Sequence, residues 1–207
     1  MLTFLTSALY YISNSLLVPV VVCLLAMLLW TVVLLGGFLR EWYDRRKLQP
    51  LLNGAVSATK RGEAAYDIWQ YIESCPAGLA KRFAQFVETE YQNDKIVDQG
   101  MARLENDVAS SLARHSFITR LSPILGLMGT LIPLGPALSG LANGNMQALS
   151  GNLIVAFTAT VVGLLVSGLA YGMGLARRVW YAADLTQLEF VAQAVAPSAV
   201  LAEELAR

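Results

Sequence analysis

Residues Leu121–Ala176 read LSPILGLMGTLIPLGPALSG, then LANGNMQALSG, then NLIVAFTATVVGLLVSGLAYGMGLA, with no Asp, Glu, Lys, Arg or His anywhere in the stretch. A hydrocarbon core about 30 Å thick takes about 20 apolar residues per helical crossing, and it offers no water to unpaired backbone groups. The stretch is long enough for two such crossings, 121–142 and 153–176, joined by a polar turn over 143–152. It predicts a transmembrane hairpin.

Working outward, the whole chain fits a membrane protein. Of its 207 residues, 56% are hydrophobic and 14% charged, and the mean hydropathy is +0.52, too apolar for an ordinary soluble domain. The net charge is zero, but residues 40–120 hold twelve of the fifteen basic groups and eleven of the fifteen acidic ones. Upstream, residues 16–39 form another uncharged run, LLVPVVVCLLAMLLWTVVLLGGFL, about 36 Å long as a helix. It lacks the basic n-region and the small-residue cleavage site of a signal peptide, so it reads as a retained anchor.

Basic clusters follow this first crossing (Arg40, Arg45, Arg46, Lys47), precede the hairpin (Arg114, Arg120) and follow it (Arg177, Arg178). The positive-inside rule puts all three on the cytoplasmic side. The expected protein is all-α and multi-pass in the cell (inner) membrane, N-terminus out and C-terminus in. Residues 1–15 are then extracytoplasmic, 40–120 a cytoplasmic helical block, and 177–207 a cytoplasmic helix and tail.

Within the central block, good helix formers are interrupted at Pro50, Gly62 and Cys75-Pro76-Ala77-Gly78, and no strand-like alternation occurs. Val97, Met101, Leu104, Val108, Leu112 and His115 recur at three- and four-residue spacing, an apolar helical stripe that predicts packing against a neighbouring helix. The helix is expected to run on as far as Pro123. The single histidine, on that stripe, reads as a packed or interfacial residue. A further helix is expected over 177–196, ended by Pro197, with a helical turn or frayed tail beyond. Cys23 and Cys75 lie in different environments, so neither a disulfide framework nor a metal-ligand spacing is present.

Chemistry in the hairpin is limited to hydroxyls, amides and backbone. At about 100° per residue, one side of the second arm collects Asn152, Ala156, Gly163, Ser167, Ala170 and Gly174, bordered by Thr160. The first arm collects Ser122, Gly126, Pro133, Ala137 and Gly140, bordered by Thr130. Large apolar residues occupy the opposite flank. Two readings stay open: close packing of helices through small residues, with each threonine bonded back to its own helix, or a water-lined seam that uses hydroxyls without burying a charge. With no large partner for the stripes in this chain, they are expected to face a second protein and neighbouring copies. A nucleophile with its base, a phosphate loop and paired carboxylates are all absent. The expectation is therefore neither an enzyme nor a cofactor or metal protein, with lipid around it and no nucleic acid. A self-sufficient proton pump would need an intramembrane ionisable group, which must come from a partner.

The motifs LSPILGLMGTLIPL and LIVAFTATVVGLLVSGLA, at this spacing and in this topology, resemble the MotA/TolQ/ExbB proton channel family, in its three-crossing ExbB/TolQ form. The resemblance implies a homopentamer around a single-span partner of the ExbD/TolR/MotB type. That partner's membrane aspartate takes up and releases protons, so that ion-motive force drives rotation. It maps the pore threonines onto Thr130 and Thr160, with Gly126, Pro133, Ala156, Gly163 and Ser167 as packing and pore-lining residues. Thr158, about 160° from Thr160, is a poorer candidate. The glutamate common five residues before the second threonine in ExbB and TolQ is here Val155. The alternative is a non-conducting scaffold that recruits proteins through its cytoplasmic helices.

Overall fold

The computed structural model describes residues 2–75, 78–87 and 94–195. Every element among them is an α-helix: α1 (Leu2–Ser15), α2 (Leu17–Arg61), α3 (Ala65–Glu73), α4 (Gly78–Val87), α5 (Asp94–Ala142) and α6 (Met146–Val195). Three helices are long and apolar enough to cross a membrane, over Tyr11–Arg61, Lys95–Ala142 and Met146–Gln193. The tail after Val195 and the centre of the Cys75–Gly78 turn, both read from sequence above, lie outside the described residues.

Helix boundaries differ from the sequence expectation at several points, each for a local reason. Residues 2–15 are helical, and the break before α2 falls at Leu16. Pro19 stands in the first turn of α2, where its missing amide hydrogen leaves no intrahelical bond unmade. Pro50 does not end α2, which continues to Arg61. The proline is exposed, while Leu48, Leu52, Ala55 and Ala58 on the other side of the helix are buried, so the ring projects away from the packed face. Pro123, Pro133 and Pro136 all lie inside α5. The segments 177–195 and 153–176 are one helix, not two. The hairpin turn is also shorter than expected: the Asn145 side-chain carbonyl accepts from the Ala148 amide at 3.0 Å, an N-cap that starts α6 at Met146. Gly144, at φ +70°, supplies the left-handed residue that closes α5.

The chain divides into two compact units. The first comprises 1–36 and 114–174. In it Val20, Leu24, Ile132 and Ala159 form one buried cluster, and Met27, Ile118, Val166 and Ala170 form another. His115 is buried here; a Cβ built on Gly174 would lie 3.2 Å from the His115 Cβ. The histidine therefore sits against a residue with no side chain, in keeping with a packed role.

The second unit comprises 37–113 and 175–207. Its core gathers Leu48 and Leu52 from α2, Ile68 and Ile72 from α3, Phe83 and Val87 from α4, Val97, Leu104 and Val108 from α5, and Leu188 and Val191 from α6. Of the α5 stripe read from sequence, Val97, Met101, Leu104, Val108 and Leu112 face this core, whereas His115 belongs to the first unit. Two ion pairs join α2 to α6. Arg45 donates both terminal nitrogens to Asp184 at 2.7 Å each, with side chains only 10% and 8% exposed. Arg177 donates to Glu41 at 2.8 Å, and the Tyr181 hydroxyl donates to the same carboxylate at 2.7 Å. Trp180 stacks on Phe38 with centroids 5.2 Å apart and lies beneath the Arg45 guanidinium. A bidentate fork between planar groups, shielded by aromatic faces, is the strong form of ion pair.

Candidate functional site

The small residues of the hairpin meet one another. Buried small residues on α5 are Ser122, Gly126, Gly129, Pro133, Ala137 and Gly140, with the larger Ile132 among them; on α6 Ala156, Ala159, Gly163 and Ala170 are buried, with the larger Val166 and Met173 among them. A Cβ added to Gly163 would stand 2.8 Å from the Ser122 carbonyl oxygen and 3.0 Å from the Gly126 Cα. One added to Gly126 would lie 3.3 Å from the Ala159 carbonyl oxygen and 3.6 Å from the Thr160 Cα, and one on Gly129 would lie 2.5 Å from the Ala159 Cβ. The expectation that these stripes face a second protein is thus corrected: they pack within the chain. Lacking side chains, the two backbones approach to van der Waals contact, and dispersion over that surface holds the helices together where lipid supplies no hydrophobic drive.

Thr130 and Thr160 are half-buried at the margin of this seam. Because the Thr160 backbone lies against Gly126, and Gly126 precedes Thr130 by one helical turn, both threonines belong to the same short section of the hairpin. The Thr130 hydroxyl donates to the Leu127 carbonyl at 2.7 Å. That of Thr160 reaches the Ala156 carbonyl at 3.4 Å, a long and weak bond. Thr158 is exposed and donates to Ile154 at 2.8 Å. Each hydroxyl keeps acceptor lone pairs, and the Thr160 proton is the least committed of the three. Beside the threonines the exposed surface is large and apolar, with Leu127, Leu131 and Leu134 on α5 and Phe157, Val161 and Leu164 on α6.

Two further seam residues act on the backbone. Pro123 has no amide hydrogen for the carbonyl of Thr119, four residues earlier. The Ser167 hydroxyl of α6 donates to that carbonyl at 2.8 Å, which lets α5 continue through a proline in a region without water. Pro133 is fully buried and in the same way gives no hydrogen to the Gly129 carbonyl, beside Thr130. Ala156 is buried and receives the Thr160 hydroxyl.

The sequence matches the MotA/TolQ/ExbB proton channel family over residues 76–179, half of the chain, including both threonines and both stripes. The chain belongs to that family. Comparison with curated proteins gives no match. With three helices able to span a bilayer, this family member is a multi-pass membrane protein of proton channel and motor stator type. The matched segment contains Arg177 but ends before Tyr181 and Asp184, and it begins after Glu41 and Arg45. Sequence reading took Arg45 and Arg177 only as topology signals. Their carboxylate partners lie 139 and 136 residues away, a separation that no local pattern records.

Proposed function

We propose that the chain is the channel and motor subunit of an ion-driven machine in the inner membrane. In this reading several copies, five by family resemblance, surround a single-span partner whose membrane aspartate carries the proton. Ion flow then turns one component within the other. The carrying observation is that Thr130 and Thr160 stand half-exposed at the edge of a close-packed glycine seam, within a stretch that holds no charged group. A neutral hydroxyl can orient water and a carboxylic acid without trapping the proton, since it both donates and accepts. Thr160, with its weak internal bond, turns to an outside acceptor most readily. The Gly129 carbonyl, left without an amide by Pro133, adds an acceptor beside Thr130.

Gly126, Ala156 and Gly163 keep the seam tight so that the threonines hold their positions, and Ser167 keeps α5 continuous. The large apolar flanks beside the threonines are the surfaces offered to neighbouring copies and the partner. Val155, where ExbB and TolQ carry glutamate, leaves the partner's aspartate to rely on hydroxyls and water. Orientation follows the basic clusters: residues 40–120 and 177–207 inside, 1–15 and the hairpin turn outside.

The test is proton flux in vesicles reconstituted with the chain and a single-span, aspartate-bearing protein encoded beside it. Thr130→Val and Thr160→Val should each abolish partner-dependent flux while the partner still co-purifies, and Thr→Ser should largely retain it. Normal flux in both valine variants would return the threonines to helix packing. Absence of flux in the wild-type complex would leave the scaffold reading.

A further inference from the structure

Helix α2 divides its charges between two sides just past Leu39, where its uncharged run ends. Arg45 turns inward to Asp184, and Glu41 is taken up by Arg177 and Tyr181. Arg40, Arg46 and Lys47 instead stay exposed. The carboxylate nearest them, Asp44, lies 3.8 Å from the Arg40 Nε. Neither Arg46 nor Lys47 has an acidic partner among the described residues. Three cations against one carboxylate leave this surface net positive.

Two of the three cations are held on aromatic faces. The Arg46 guanidinium stands 5.8 Å from the Trp42 ring centroid, and the Lys47 ammonium 5.8 Å from that of Tyr43. Each side chain thus runs back one helical turn towards the uncharged run, the direction in which helical side chains lean. Arg40, drawn towards Asp44, keeps its charge within the same turn. Residues 40 to 43 rise only about 4.5 Å along the axis, so the three charges gather at one level. Leu39, Trp42 and Tyr43 are 50%, 51% and 65% exposed beside them. In a chain with three helices able to cross a membrane, the end of an uncharged run marks the level of the lipid headgroups, where amphipathic rings and basic side chains collect.

We propose that residues 39–47 of α2 bind the headgroup of an anionic phospholipid. Arg46 and Lys47 meet its phosphodiester and Arg40 strengthens the field, while the glycerol and acyl portions cover Leu39, Trp42 and Tyr43. The ring faces hold two long side chains in place beforehand, which lowers the ordering cost of binding. A zwitterionic headgroup brings a cation of its own into the same field, so the site selects for net negative charge. A free phosphate would satisfy the cations but leave the exposed apolar surface bare. The site involves neither Thr130 nor Thr160 and stands whether or not they carry protons.

Native mass spectrometry of the full-length protein tests this, after delipidation in detergent and titration with phosphatidylglycerol or phosphatidylethanolamine of identical acyl chains. The wild type should bind phosphatidylglycerol about tenfold more tightly than phosphatidylethanolamine. Arg46→Gln/Lys47→Gln should bring the two lipids within about twofold of each other; either single substitution should fall between and serves if the double variant fails to fold. Lys60→Gln/Arg103→Gln removes the same charge from exposed positions elsewhere and should keep the preference. Trp42→Leu/Tyr43→Leu keeps the charges and the apolar bulk but removes the ring faces, and should weaken phosphatidylglycerol about threefold. Equal binding of the two lipids by the wild type, equal loss in both charge-removing variants, or displacement of phosphatidylglycerol by an equal concentration of inorganic phosphate would overturn the site.

Discussion

Substituting alanine for single glycines of the hairpin tests the seam at the level of tenths of an ångström. In Gly163→Ala the new Cβ would stand 2.8 Å from the Ser122 carbonyl oxygen and 3.0 Å from the Gly126 Cα. Both are backbone atoms, so no rotamer change relieves the contact. Reaching an ordinary separation needs α5 and α6 to part by about 0.5 Å, and gaps of 0.5–1 Å forfeit roughly a quarter to a half of each dispersion contact. Overpacking of this kind costs about 1–3 kcal/mol. Alanine also gains about 1 kcal/mol of helix propensity over glycine, which a control removes: a Cβ on Gly168, in the same helix, meets nothing within 4 Å. Gly163→Ala should therefore be about 1–3 kcal/mol less stable than Gly168→Ala. Gly129→Ala collides instead with a side chain, the Ala159 Cβ at 2.5 Å, so the double variant Gly129→Ala/Ala159→Gly should recover most of the loss. Reversible unfolding in mixed detergent micelles gives all four free energies. Equal stability of the Gly163 and Gly168 variants, or no rescue by Ala159→Gly, would refute the seam.

Truncating Asp184 to alanine leaves the Arg45 guanidinium, 10% exposed, without its bidentate partner, so a loss of about 3–5 kcal/mol is expected; the exposed pair Arg82 and Asp107, 3.6 Å apart, should lose no more than about 1 kcal/mol on Asp107→Ala. Thr158→Val should leave partner-dependent proton flux within twofold of wild type, in contrast to Thr160→Val, as measured in the same vesicles. Burial pushes the Cys75 thiol up to about 11, so in folded protein its alkylation should be slow at neutral pH and rise about tenfold per pH unit through pH 10, because only the thiolate attacks; rapid labelling at pH 7.5 would place Cys75 outside the core. A cysteine at Asn145 should react with an impermeant maleimide in intact cells and one at Lys60 only after permeabilisation, and the reverse pattern would invert the topology.

Some of this molecule follows from its residues alone. Hydrocarbon admits only backbone that satisfies itself, so two long stretches without charge, 16–39 and 121–176, dictate three helical crossings. The azimuths of Ala156, Gly163 and Ser167 on one arm, and of Gly126 and Pro133 on the other, mark the close-packing faces before any coordinates are known. A face, however, does not name its partner. Periodicity is a property of one helix, and whether two small-residue stripes meet each other or another protein depends on how closely two backbones approach, which only the packed structure decided. The same holds for the prolines. Pro123 read by itself ends a helix, but Ser167, 44 residues later, supplies the hydrogen that the proline lacks. Arg45 in sequence is one charge in a basic cluster; in the fold it is buried against Asp184. Thr31 of α2 carries no local signature at all, since a hydroxyl among apolar neighbours is ordinary, yet in the fold it is fully buried and its Oγ1 has no hydrogen-bond partner among the described residues. Spacing along one chain reports which side of a helix is small or apolar, whereas ion pairs, borrowed hydrogen bonds and orphan hydroxyls are relations between distant segments and exist only once those segments touch.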